Sequence, residues 1–505
     1  MRLKIAVPLV VLLPLLAILI GVAFADIEAP PPPPPPAPHS PGIDVAWLQA
    51  RVEANFELNR VTQLRTWNGR QTVTYHAPYL RGRTQYPERL PRLLHGAWRL
   101  YWWLEEPLNV SYPHQWLWDS CAHAITLSWF DVELAKAEIR SLLYAQRDDG
   151  FIPHMIFNPE KMHWLSRVLQ WVYPTSVHSP YVQTPALAEA VERVYLRSGD
   201  LDFVVEMLPK LKRFYYDYLD QRRALDGDGL PIIIYSYETG KDRSPEYEPV
   251  YGGSIAGPVW RGPMAEVMLN HRLLGFDENR VFASGRFLVK DLLFSSVYAR
   301  NLASLGRLCE LAEEDAALFF GMARETEKSI LEKMYDPESG LFYSLDARQG
   351  RDEKLRVSTV STFLPLILDS IEPDQVERLV EDYLLNPEEY WTNYPVPAQP
   401  VHAFGEPLDD AIWRGPQTWV YTNWYIVEGL RKQAARFPEH EDEYNSIADE
   451  ITLKTYELVV REGFREYYDS RSGAGRRAYD FCPSTLVLDM VYNMTAEKPC
   501  FSAAP

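Results

Sequence analysis

Residues 116–146 read WLWDSCAHAITLSWFDVELAKAEIRSLLYAQ, and the fold turns on this stretch. Apolar side chains recur at helical spacing from Trp116 to Phe130 and again from Val132 to Gln146, with only Asp131 between them. Two helices joined by a short link are expected. The habit continues outward with Tyr181 to Ser198 and Leu201 to Leu219, then Gly262 to Leu274, Asp291 to Leu311 and Asp315 to Met334. Ser358 to Ile371, Pro373 to Leu385, Tyr421 to Ala435, Asp442 to Glu462 and Ser484 to Tyr492 extend it to the C-terminal region. Strand signals are short and adjoin Gly-rich turns, at Pro231 to Tyr237, Leu341 to Leu345 and Phe464 to Tyr468. The pattern predicts an all-α body from about Ile43 onward, with small β-hairpins in its loops. Trp260-Arg261-Gly262-Pro263 returns as Trp413-Arg414-Gly415-Pro416, each ahead of a helical run, which hints at internal repetition.

The chain has 505 residues, 47% hydrophobic, enough to bury a large core. Its formal net charge of −18 argues against a nucleic-acid partner, because phosphate contacts need clustered Lys and Arg. The N-terminus differs from the rest. Arg2 and Lys4 precede an uncharged run from Ile5 to Ala25 ending Ala23-Phe24-Ala25, the pattern of an export signal. Residues 1–25 therefore read as a cleaved signal peptide, or as a membrane anchor through residues 5–25 if uncleaved, although Pro8 and Pro14 would disturb such a helix. Residues 26–42 carry a Pro tract that favours an extended linker, leaving 43–505 as the folded domain of an exported protein. Cys121, Cys309, Cys482 and Cys500 are too scattered for a disulfide framework, and one disulfide or idle buried thiols both stay open. No CxxC or Cys/His cluster with zinc spacing occurs, so no metal and no cofactor are expected. The sequence does not set the oligomeric state.

Aromatics and carboxylates gather in the loops. Tyr112-Pro113-His114-Gln115-Trp116-Leu117-Trp118-Asp119 is the richest stretch: indole faces stack on pyranose rings, while an Asp or Gln grips vicinal hydroxyls. The alternative makes Trp116 and Trp118 core anchors and Asp119 a helix cap. A second cluster, Tyr235 to Pro245, runs a short strand into a Gly turn with Glu238, Lys241, Asp242 and Arg243. It suits either a catalytic loop or an exposed salt-bridged turn. The third is Gly463-Phe464-Arg465-Glu466-Tyr467-Tyr468-Asp469, where strict alternation would place Glu466 and Tyr468 on one strand face and Arg465 and Tyr467 on the other. A carboxylate among aromatics is a candidate for a perturbed pKa. Hydrolysis of a glycosidic bond generally needs two carboxyl groups, and Asp242 and Glu466 supply a pair.

Together, HQWLWDSCAHA, RDDGFIPHM (Arg147 to Met155), the ETGKDRSP loop, the WRGP segment ending in Asn423-Trp424, and FREYYD resemble glycoside hydrolase family 63. The likeness is to its small members that hydrolyse mannosylglycerate or glucosylglycerate. It spans roughly Tyr112 to Val491. The resemblance implies an (α/α)6 toroid and inversion at the anomeric carbon, with Asp242 as general acid and Glu466 as general base. It also implies that Asp119 holds sugar hydroxyls and that Trp413 and Trp419 wall the pocket. Thr239 stands where the family usually has Ser, Lys241 departs from its pattern, Gln417 lengthens the Trp413 to Trp419 spacing, and Cys482-Pro483 replaces an aromatic stretch. A small glycosyl-glycerate is the expected substrate, its carboxylate met by Lys241, Arg243, Arg261 or Arg414. The competing readings are an α-glucosidase or trehalase-like hydrolase and an exported toroid that binds sugar without cleaving it.

Overall fold

The computed structural model describes residues 42–80, 112–158, 175, 177–256, 262–405 and 412–495. The leader at 1–25, the Pro tract, Trp260, Arg261 and Cys500 lie outside the described residues. In chain order the elements that position the site begin with helix α1 (Val45–Asn59), strands β1 (Arg60–Arg65) and β2 (Gln71–His76), and strand β3 (Gln115–Trp116). Helices α2 (Leu117–Leu127) and α3 (Val132–Leu143), strand β4 (Met155–Ile156), α4 (Leu187–Ser198) and α5 (Leu201–Lys212) follow. Then come α6 (Pro263–Leu273), α7 (Leu292–Leu311), α8 (Ala317–Ser329), a 3-10 segment (Val360–Ile367) and α9 (Pro373–Arg378). Strand β5 (Gln417–Thr418), α10 (Val420–Arg436), α11 (Glu441–Glu462), strands β6 (Arg465–Asp469) and β7 (Gly475–Tyr479), a 3-10 turn (Cys482–Leu486) and α12 (Val487–Thr495) complete the series.

The helices begin where the sequence places an Asp. Asp131, Asp200 and Asp291 each accept the backbone N–H of the third residue on, which satisfies an otherwise unpaired donor at the starts of α3, α5 and α7. Gly199 ends α4 in the left-handed conformation. Helix α2 buries all eleven of its residues, whereas α5 buries Phe203, Val204, Met207, Leu208 and Leu211 along one stripe. That difference sorts the helices into two layers. Helix α2 packs on α4, α4 on α7, α7 on the Val360–Ile367 segment, that segment on α10, and α10 on the Cys482–Leu486 turn, which returns to α2. The contacts close a ring of inner elements. Around it, α3 covers α2 and α4, α5 covers α4 and α7, α8 lies on α7, α11 on α10 and α12, and α1 on α12. The arrangement is a helical toroid.

Inside the ring, Glu189 and Arg193 of α4, Arg300 of α7 and Glu428 of α10 interlock. Arg300 lies 2.5 Å from Glu189 and 3.1 Å from Glu428, and Arg193 also pairs with Glu428. Asp489 of α12 accepts the indole N–H groups of Trp424 and Trp129, both at 2.7 Å. Buried charges demand such mutual pairing.

The structure corrects several expectations. Within the expected Ser358 to Ile371 helix the chain forms a 3-10 segment, Val360–Ile367, with Pro365 inside it. The Leu201 to Leu219 helix passes into a π-helical stretch, Arg213–Asp220. Of the two WRGP copies, Pro263 opens α6, but Pro416 leads into strand β5 before α10 begins. Cys121, Cys309 and Cys482 are buried free thiols.

Candidate active site

Three segments from distant parts of the sequence meet at one end of the ring. The first reaches α2 through β3, which pairs antiparallel with β4 of the RDDGFIPHM run. The Trp118 backbone N–H, unpaired at the start of the helix, donates to Gln183 Oε1 at 3.1 Å. Trp118 and Asp119 thereby occupy the first turn. Asp119 is not the cap, since the cap position is Trp116 and no side chain fills that role. Asp119 is 7% exposed, and burial, with repulsion from Asp242 and Glu466, pushes its carboxyl up to about 7.

The second segment is the loop after Tyr235. A 3-10 turn, Ser236–Thr239, ends at Gly240 with φ +77°. A β-carbon at Gly240 would collide with the indole of Trp118, so only glycine lets the loop lie on that ring. Glu238 and Lys241 point inward, so the loop is not an exposed salt-bridged turn. Glu238, 0% exposed, pairs with Arg223 at 2.9 Å and accepts the backbone N–H groups of Ile234 and Val182. Lys241, 1% exposed, pairs with Glu246 at 2.7 Å and Asp291 at 3.2 Å and donates to Ser361 at 2.5 Å. Ser236 Oγ donates to the Asp242 carbonyl at 2.7 Å. With both neighbours anchored, the partly exposed Asp242 side chain stands at the site. Burial and Glu466 push its carboxyl up to about 7, against the opposing pull of Arg243 and Arg477.

The third segment is the hairpin β6–β7, whose first strand also pairs with β5. Glu466 accepts from Tyr112 Oη at 3.5 Å and from the Ala478 backbone N–H at 3.4 Å, and Arg477 Nη1 lies 3.9 Å from its other oxygen. Burial raises its pKa, and Arg477 opposes that shift. The expected alternation fails here. Tyr468 turns back to donate to the Gly463 carbonyl at 2.6 Å, whereas Tyr467 lies beside Trp419 and, like Glu466, interacts with Arg477. Aromatic rings frame the three carboxyls: Trp413 stacks on Trp419 at 3.9 Å between centroids, and Trp118 lies 6.2 Å from Trp413 and 4.3 Å from Tyr421. Trp116 stands edge-on to Tyr112 at 6.0 Å. Carboxyls of raised pKa among stacked indoles fit acid–base chemistry on a sugar.

Residues 112–484 match the family of the mannosylglycerate hydrolase MGH1-like glycoside hydrolase domain. The chain belongs to that family. It is a glycoside hydrolase of the family 63 type. It is 28% identical over 413 residues to a mannosylglycerate hydrolase of Thermus thermophilus, a span covering 74% of this chain and 93% of that one. It is 24% identical over 377 residues to the glucosylglycerate hydrolase of Mycolicibacterium hassiacum, covering 64% and 82% respectively. A crystal structure of a GH63 mannosylglycerate hydrolase from Thermus thermophilus in complex with glucose superposes with a TM-score of 0.64 at 26% identity. It covers 77% of this chain and 95% of that one.

Among the hydrolase's expected site residues, Tyr112, Trp116, Trp118, Asp119, Asp242, Arg243, Trp413, Trp419 and Glu466 gather around this cluster. Gln115 is 0% exposed, its amide donates to Ser120 and Ser141, and its oxygen accepts from Arg65 at 2.9 Å, so its side chain is engaged in bracing the start of α2. Lys241 is buried in ion pairs, and Arg414 binds Glu248 at 2.6 Å and the Arg243 carbonyl at 2.8 Å, so these two cations hold the loop. Arg477 and Tyr421 escaped the sequence reading. An arginine on the return strand of the FREYYD hairpin was the available signal for Arg477.

Proposed function

We propose that this hydrolase cleaves a small α-glycoside with inversion, with Asp242 as general acid and Glu466 as general base. The observation that carries the reading is the meeting of Asp242 and Glu466, both raised by burial, with the charge of Glu466 adding to the rise at Asp242 and both carboxyls acting on Asp119. A carboxyl near 7 is still protonated at near-neutral pH, so Asp242 can give its proton to the glycosidic oxygen as the bond to the anomeric carbon breaks. Arg477, Tyr112 and the Ala478 N–H favour the ionised form of Glu466, which takes a proton from the water that bonds to the opposite face of that carbon. Asp119 would hold the sugar's hydroxyls, with Trp118, Trp413 and Trp419 as walls. Inner helices α2, α4, α7 and α10 are each followed in the chain by a helix that covers them, α3, α5, α8 and α11, which supports the (α/α)6 reading of the toroid.

For the substrate, the proposal is mannosylglycerate or glucosylglycerate, the compounds named in the relatives. The cation on the acid's side of the site is Arg243, whose charge is the strongest pull toward ionisation on Asp242. It suits an acceptor carboxylate, which needs a charged partner once desolvated. Both glycosyl-glycerates should be hydrolysed with higher kcat/KM than trehalose, maltose or kojibiose. Arg243→Ala should raise KM for the anionic substrates about tenfold, the value of one charge-assisted hydrogen bond, and leave a neutral aryl glycoside nearly unaffected. A neutral disaccharide cleaved well while glycosyl-glycerates are ignored would overturn the glycerate reading.

A further inference from the structure

Strands β6 and β7 lose step at Glu466. Tyr467 pairs with Arg476 and Arg465 with Tyr479, so Glu466 alone stands opposite both Arg477 and Ala478. This is a β-bulge, a feature that re-aims side chains and is over-represented beside active sites. Here it brings two donors to one carboxylate, the Ala478 N–H on one oxygen and Arg477 Nη1 near the other. Arg477 has φ +54°, a conformation that glycine enters freely and arginine does not. Its guanidinium also hydrogen-bonds Tyr112 and Tyr467 and is 28% exposed at the mouth of the site.

We infer that the Arg477–Ala478 bulge is a clamp for the catalytic base, in which Arg477 acts as a positioning residue that fixes the orientation and the negative charge of Glu466. The inference rests on the reading of Glu466 as base. The groups facing Glu466 explain why a clamp is needed. Asp242 approaches from the loop and Asp119 from α2, both anionic when ionised, and Tyr112 contributes a hydroxyl. Against them stand Arg477 from β7 and, with a weaker pull, Arg465 on Glu466's own strand. Removing Arg477 leaves the carboxylate among repelling neighbours, where protonation is favoured and its rotamer is released.

The test compares Arg477→Gly, Arg477→Asn and Arg477→Lys in the full chain. Glycine and asparagine accept a left-handed backbone, so the thermal midpoint should hold or rise. The pH profile of kcat for the glycosidic substrate should nevertheless move, its acidic limb rising by about one unit in both neutral variants, with kcat down about tenfold and KM little altered. Lysine should return the limb toward the wild-type position. Neutral variants that keep the wild-type limb overturn the clamp, as does a fall in kcat with the limb unmoved, which would mark Arg477 as merely structural. If the glycine variant fails to fold, the same readout from the asparagine variant decides. Glu466→Gln separates the two levels. Activity retained there removes the base assignment itself, whereas an inactive Glu466→Gln beside unaffected Arg477 variants removes only the clamp.

Discussion

Glu428 and Asp242 are both carboxyl groups enclosed by the toroid, and they are held in opposite states. Glu428, midway along α10, meets Arg193 and Arg300, and these cations keep it well below the ordinary carboxylate range. Asp242 is raised to about 7 first by burial and then by the charge of Glu466, although Arg243 and Arg477 pull the other way. Burial pushes both groups upward. At Glu428 two cations overcome burial, and at Asp242 the opposing cations do not. In one region opposite charges lock α4, α7 and α10 together. In the other, like charges are gathered against their mutual repulsion, an arrangement that does nothing for folding and suits proton transfer.

The contrast breaks most visibly at Asp242. Asp242→Asn should lower kcat on a glycosyl-glycerate by about 10²- to 10⁴-fold, the usual worth of general acid catalysis. An aryl glycoside with a good leaving group should lose much less, and the thermal midpoint should not fall. Equal losses on both substrates would deny Asp242 the acid role. Glu428→Gln should do the reverse. Leaving Arg193 and Arg300 short of a partner should destabilise the fold by about 3 kcal/mol in urea titrations, while kcat per folded molecule stays near wild type. A stable variant with impaired turnover would erase the distinction between the two regions.

The smallest effect is in pH dependence. Asp242 and Asp119 have folded pKa values above their unfolded ones, so between about 4 and about 7 the folded chain keeps protons that the unfolded chain has released. Their contribution to stability therefore declines as pH rises through that window. Glu428 behaves oppositely: its contribution is complete above its unfolded value near 4.5 and is lost as pH falls below it. Urea midpoints of the wild type and Asp242→Asn, measured from pH 5 to 7, should diverge, with the variant gaining relative stability at the upper end. Parallel curves would mean that Asp242 titrates alike in both states.

The helices were legible because their apolar residues repeat at helical spacing, and α2, α3, α10 and α11 lie within a few residues of the expected ranges. The hairpin β1–β2 was not. Its buried positions in β1 are Val61, Gln63 and Arg65 while Leu64 is exposed, so the polar–apolar alternation that marks a half-buried strand is missing. At the site, carboxylates among aromatics drew attention to Asp119, Asp242 and Glu466. Sequence proximity alone could not separate Asp242 from Lys241, whose side chain turns into the core, or show that Gln115 is buried against Arg65, Ser120 and Ser141. Arg477 stayed hidden because a bulge changes the register by one residue, and register belongs to the pairing of two strands rather than to either one.

Gly240 joins two parts of the machinery with no space between them. The loop that carries Asp242, the proposed proton donor, rests on the indole of Trp118, the proposed wall of the sugar site, so neither can be displaced without the other. Under that proposal, reshaping the site at Trp118 would carry Asp242 out of line with the scissile oxygen. A lineage of such enzymes therefore has little freedom to change the sugar it accepts by altering that ring. Under the same proposal its room for diversification lies on the far side of the bond, around Arg243, where the aglycone could be exchanged while the contact of Gly240 with Trp118 stays put.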